Sequence, residues 1–106
     1  MKSSYILVLI TAQDKKEADK ISQALLKNKL AACVNLVPKV ESFFWGEGKI
    51  ERAQEALLFV KTKKEKFAAL KKLVKSLHSY TVPEIIALTL SAGLKSYFNW
   101  LDDCLS

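Results

Sequence analysis

The hydrophobic pattern of this chain alternates between short apolar runs and stretches with a helical period. Tyr5 to Ile10 (YILVLI) is a continuous β-rich run, the pattern of a central strand covered by helices. Asp14 and Glu17 then make a D-x-x-E start, a capping-box arrangement for a helix that ends near Lys29. Ala18, Ile21, Leu25 and Asn28 share one face of it, the first three apolar. Leu30 to Val37 (LAACVNLV) reads as a second strand. Pro38 interrupts it, which implies a bulge or an edge position, and Val40 to Trp45 (VESFFW) continues it. Gly46-Glu47-Gly48 is a turn, and Lys49 to Thr62 returns as a third strand with its buried centre at Ala56 to Val60. The two strands form a long hairpin.

Thr62 and Glu65 offer a second capping box. Phe67, Leu70, Val74 and Leu77 follow at amphipathic helical spacing. Pro83 opens a fourth strand, Glu84 to Leu90 (EIIALTL). A last helix spans Leu94 to Leu105, with Leu94, Tyr97, Phe98, Leu101 and Leu105 on its apolar side. The order β-α-β-β-α-β plus a terminal helix predicts an α+β fold, a ferredoxin-like sandwich. Its helices lie on one face of a four-stranded sheet, and it carries a C-terminal helix and a long hairpin between its second and third strands. Residues 1–106 make one domain. Such a fold hosts many functions and settles none.

The hairpin points beyond a monomer. Phe43, Phe44 and Trp45 are consecutive, and side chains alternate along a strand, so the three cannot all face one core. An exposed aromatic ribbon invites association, so part of it is expected to be covered by another chain.

Composition changes this picture little. Half the residues are hydrophobic and 26% are charged, which excludes disordered, collagenous and cysteine-scaffold chains. No apolar run approaches the roughly 20 residues of a membrane helix, so no membrane partner is expected. The net charge is +6, and seven lysines between Lys61 and Lys75 against Glu65 account for all of it. A solvated helix face and an anion-binding surface both fit that cluster. Arg52 is the only arginine, whereas phosphate and base readout favours the arginine fork. Lys63 and Lys64 stand where a helix start prefers anions, so they are either solvated or hold an anion. Cys33 and Cys104 have no metal spacing, and a reduced, cytoplasmic chain is the simpler reading. Met1 to Ser4 followed by the first apolar run imitates a short signal peptide but lacks a clear cleavage site.

Five segments together carry a resemblance. They are LVLITAQD, KLAACVNLVP, FFWGEGKIE, LFVKT and LHSYTVPEIIAL, in this order, and the resemblance extends over about Ile6 to Leu101. The chain resembles the CutA family, the divalent-cation tolerance proteins. The resemblance implies a ferredoxin-like subunit in a tight homotrimer built through the long hairpin strands. It also implies tolerance of copper and other divalent metals, with Cu2+ or another divalent ion as the bound species, no organic cofactor and no established enzymatic activity. The trimer resembles that of the nitrogen-signalling PII proteins. Departures from the family pattern are Ser79 and Thr81, where Pro and Glu are more frequent, and Gln13, where Pro is. Ile10 and Leu77 are aliphatic where some members have Cys and His.

His78 is the only histidine, and imidazole suits copper and zinc. His78 and Glu84 are the candidate metal ligands, against a hydrogen-bonded histidine at a helix end. Tyr80, Trp45, Lys61 and Thr62 are candidate residues of a cleft between subunits, with Glu84 accepting from a cation or from Lys61; a structural network at the trimer seam is the alternative. Cys33 reads as a small buried hydrophobe or a soft ligand. Phosphate-loop, G-x-S-x-G and H-E-x-x-H motifs are absent from the sequence. The leading expectation is therefore a homotrimeric, non-enzymatic copper tolerance protein binding divalent metal weakly. The alternative is a PII-like scaffold or sensor with a small anionic ligand or protein in its inter-subunit cleft. An RNA-binding module shares the element order but needs base-stacking aromatics that EALLFVKT lacks, so no nucleic acid partner is expected.

Overall fold

The computed structural model describes residues 4–106. Met1 to Ser3, the start of the signal-peptide-like stretch, lie outside the described residues. The elements are β1 (Tyr5–Ala12), α1 (Lys15–Lys27), β2 (Cys33–Gly46), β3 (Lys49–Lys63), a 3-10 turn (Lys64–Lys66), α2 (Phe67–Leu77), β4 (Ile85–Thr89) and α3 (Lys95–Leu105). The strands form one antiparallel sheet in the order β2-β3-β1-β4, the ferredoxin-like arrangement.

Alternation divides the sheet into two faces. Ile6, Val8, Ile10 and Ala12 of β1 and Ala56, Leu58 and Val60 of β3 point to one face. They meet Ala18, Ile21 and Leu25 of α1 and Leu70 and Val74 of α2 in the main core. Each fully buried Leu or Ile there contributes roughly 1.5–3 kcal/mol relative to exposure. The other face carries Leu7, Leu9, Leu57 and Phe59, with Ile86 and Leu88 beside them on β4. Neither α1 nor α2 covers it.

The terminal helix crosses to that second face, so the helices do not all share one side of the sheet. Tyr5 and Lys63 form a directly opposed pair on it. Phe98 stacks on Tyr5 at 4.2 Å, Tyr5 Oη donates to Asp102 Oδ2 at 2.9 Å, and Lys63 Nζ pairs with Asp102 Oδ1 at 3.1 Å. The Tyr5 hydroxyl, then the Lys63 ammonium, holds the Asp102 carboxyl below its ordinary range. The hydrogen bond to Asp102 also raises both Tyr5 and Lys63. A lowered carboxyl contributes stability above the unfolded carboxylate pKa of about 4 and loses it as pH falls through the folded value. Asp102→Asn is expected to flatten the acid limb, narrowing the gap between urea midpoints at pH 7 and pH 3. An unchanged gap would place the acid sensitivity elsewhere.

Local chemistry explains most boundaries. Asp14 caps α1, its Oδ1 accepting from Glu17 N at 2.9 Å, while Glu17 Oε1 accepts from Gln13 N at 3.2 Å. Pro38 sits on the edge strand β2, at a register shift between Val37 and Val40. The hairpin turn is tighter than the three residues expected. Gly46 still pairs with Lys49, and Glu47 (φ 48°) and Gly48 (φ 83°) alone make the loop. Two positive φ angles match the twist of a two-residue hairpin.

Thr62 does not cap α2. It lies within β3, fully buried, and its Oγ1 donates to Leu30 O at 2.8 Å. The 3-10 turn precedes the helix instead, without a side-chain cap at either start. The lysine cluster also divides. Lys64, Lys71, Lys72 and Lys75 are exposed on or beside α2, whereas Lys61 and Lys63 stand on the opposite face of β3. Lys63 is paired with Asp102 and Glu65, so its charge is already matched.

Beyond the Ala12–Ala56 pair, β2 and β3 continue alone as a two-stranded ribbon to the turn. Phe43 is 64% exposed, Trp45 76% and Ile50 65%.

Candidate functional site: a cleft at the root of the hairpin

The segment after α2 is pinned by three consecutive residues. His78 Nε2 lies 2.7 Å from Thr11 O, and a carbonyl only accepts, so Nε2 carries the proton. His78 Nδ1 accepts from Tyr80 N at 3.0 Å, so it does not. The imidazole is fully buried, with Glu17 Oε1 3.6 Å from Nδ1. Ser79 N donates to Glu17 Oε2 at 2.9 Å and Ser79 Oγ to Glu17 Oε1 at 3.1 Å. Tyr80 Oη donates to Glu55 Oε2 at 2.7 Å. Burial, then this bond to Glu55, pushes the Tyr80 phenol well above its ordinary range. The start of α1, the end of β1 and the root of the hairpin are thereby tied to one loop.

That tie builds a cleft of about 630 Å³ between the loop and the ribbon. Phe44 and Tyr80 supply aromatic side chains, and Phe43, Ala53 and Val82 complete the apolar lining. Thr11, Ser42, Glu55 and Glu84 supply the polar groups. No lysine or arginine lines it among the described residues. Glu55 is only 9% exposed, and its one hydrogen bond is the Tyr80 hydroxyl. Glu84 is exposed at the rim.

The structure therefore brings together Tyr80 and Glu84 and keeps the other candidates apart. Trp45 lies farther out on the ribbon, Thr62 is inside the main core, and Lys61 bonds Asn35 on the second face. Glu84 does not accept from Lys61. His78 differs most from expectation: both ring nitrogens are used by the protein, so neither is left for a metal ion. Among the described residues no three His, Cys, Asp or Glu side chains stand close enough to hold a metal. The residues of one chain do not fit a divalent ion with His78 as its ligand.

Sequence reasoning missed Glu17, Glu55 and Thr11. Glu17 was visible as the last residue of the capping box, but not as the partner of Ser79. Glu55 gave no signal, because one carboxylate in a polar hairpin looks solvated.

The fold and cleft define a ferredoxin-like domain with a protruding β-arm. The chain belongs to the CutA1 divalent ion tolerance protein family, whose model matches residues 6–104. A divalent-cation tolerance protein CutA of Archaeoglobus fulgidus is 50% identical over 96 residues, covering 91% of this chain and 93% of the relative. Its counterpart in Thermus thermophilus is 46% identical, covering 90% and 92%. Among solved structures, the Archaeoglobus fulgidus protein, described as periplasmic, superposes with a TM-score of 0.93 at 46% identity, over 96% of this chain and 99% of that one. Rice CutA1 gives 0.94 at 39% identity, over 97% and 94%. A related rice protein is described as chloroplastic, so the relatives occupy more than one compartment. Among the described residues no helix is long and apolar enough to cross a membrane.

Proposed function

We propose that the protein is a homotrimeric, non-enzymatic divalent-cation tolerance protein whose metal-binding groups come together only in the assembly. The observation that carries the reading is the second face of the sheet, which α3 covers only toward Tyr5 and Lys63, continued by an exposed aromatic ribbon. Ile86 and Leu88 are each about half exposed there, beside Leu9 and Phe59. Apolar surface of this extent, continuous with unpaired edge backbone, favours burial against further copies. Membership of a divalent-cation tolerance family supports the metal part of the reading. Glu84 is the exposed carboxylate free to contribute, and copper is the first ion to test. Cys33 and Cys104 are both free thiols, which suits a reducing, cytoplasmic setting.

The cleft does not favour the small-anion alternative. It presents two carboxylates and no cation, and an anion there would meet repulsion.

Native mass spectra with and without copper test the metal reading. Saturable uptake with a fixed number of ions per assembly, lost when the chains are dissociated, is expected. Uptake that never saturates, or none, contradicts it.

A further inference from the structure

We propose that the cleft at the root of the hairpin binds a small organic ammonium ion, with Glu55 as its charge partner. The proposal goes beyond metal tolerance and does not depend on it.

The buried carboxylate is the first reason. Taking a carboxylate out of water costs several kcal/mol unless a cation or several hydrogen bonds replace the lost solvation. Glu55 is nine-tenths buried, receives one hydrogen bond and has no ion-pair partner among the described residues. Tyr80 Oη fixes Oε2, which leaves the other oxygen able to accept from a ligand.

The walls are the second. Phe44 and Tyr80 stand beside the polar groups, whereas Phe43, one position along the strand, turns to the other face of the ribbon with the Arg52 guanidinium 5.9 Å from its ring. Aromatic faces attract cations of low charge density, and organic ammonium ions best match a site that is part ring and part carboxylate. A divalent metal needs more oxygen, nitrogen or sulfur donors than Glu55 and Glu84 provide. The volume of about 630 Å³ falls in the range of small-molecule sites. Glu84 at the rim adds a second negative charge that draws a cation in. No lysine or arginine lines the cleft among the described residues, and the nearby Arg52 is turned to Glu41 at 3.7 Å and to the Phe43 ring.

Butylammonium chloride is the probe, and 1-butanol is its neutral counterpart of equal length. Calorimetric titration of the native assembly, at fixed ionic strength, should show saturable butylammonium binding at one site per chain. Butanol should bind far more weakly. Glu55→Gln keeps an acceptor for Tyr80 Oη and removes a buried charge, so its thermal midpoint should not fall below that of the parent. Its butylammonium affinity should fall roughly 10- to 100-fold, the range for a lost charge-assisted hydrogen bond. Glu84→Gln, on an exposed side chain, should weaken binding by a few-fold only and serves as the variant whose folding is not in question. Butanol binding as tightly as butylammonium overturns the proposal. So does affinity unchanged in Glu55→Gln, or no saturable butylammonium binding, the result if a neighbouring copy fills the cleft. Copper uptake is followed separately: copper binding without butylammonium binding sinks this inference alone, and the reverse sinks only the metal reading.

Discussion

Leu9→Glu is expected to break the assembly while leaving the subunit folded. Leu9 lies at the centre of the second face, paired with Phe59 on one side and Ile86 on the other. Its side chain points away from the core formed with α1 and α2, so the substitution spares that core. In a closed symmetric assembly each copy would bury its own carboxylate in an apolar seam. An uncompensated buried charge costs on the order of 3–5 kcal/mol, which is roughly 10²- to 10⁴-fold in affinity for every contact. Sedimentation should show single chains with an unchanged far-ultraviolet spectrum. Leu9→Ala should retain assembly at higher concentration, because it removes contact area without adding charge. Intact assembly in Leu9→Glu would place the interface elsewhere.

His78→Ala is expected to be the most destabilising single change in the loop that walls the cleft. The imidazole is completely buried and serves Thr11 O and Tyr80 N at once. Its loss strands a buried acceptor and a buried donor, each worth about 1–3 kcal/mol, and leaves a ring-sized void. A loss of roughly 3 kcal/mol or more in urea unfolding should follow, measured without any metal. His78→Asn should recover little, since a shorter side chain cannot span from Thr11 to Tyr80. The number of copper ions taken up by whatever remains assembled should not change, because His78 has no free nitrogen. Retained stability with lost copper would instead make His78 a ligand.

The two variants mark what the sequence could and could not convey. Periods of two and of three to four residues placed the elements, because burial in a thin sandwich leaves them little freedom. Errors arose where a residue had two plausible jobs. Thr62 and Glu65 have capping-box spacing, yet Thr62 is the last buried residue on the core side of β3, and its hydroxyl bonds Leu30 O. The strand's demand for a buried side chain outweighed the local cap. Gly46 looked like part of the turn, but Glu47 takes a positive φ and lets the ladder run one pair further. The lysine cluster read as one patch because spacing along a chain does not say where a strand hands over to a helix.

The site was legible only in part, and the reason is distance along the chain. Tyr80 and Glu84 sit in one short segment and were singled out together. Their partners, Thr11, Ser42 and Glu55, arrive from β1 and from both strands of the hairpin. Ser79 illustrates the limit well. Its backbone N–H and hydroxyl both reach Glu17 across 62 positions of the chain. A proline there would have neither donor.

Assembly through the second face of the sheet and the ribbon is the proposal on which the metal reading rests. Sedimentation equilibrium of the purified protein at micromolar concentration tests it most directly. A single species of three chains of 11.9 kDa each is expected. A stable species with the mass of one chain would contradict it.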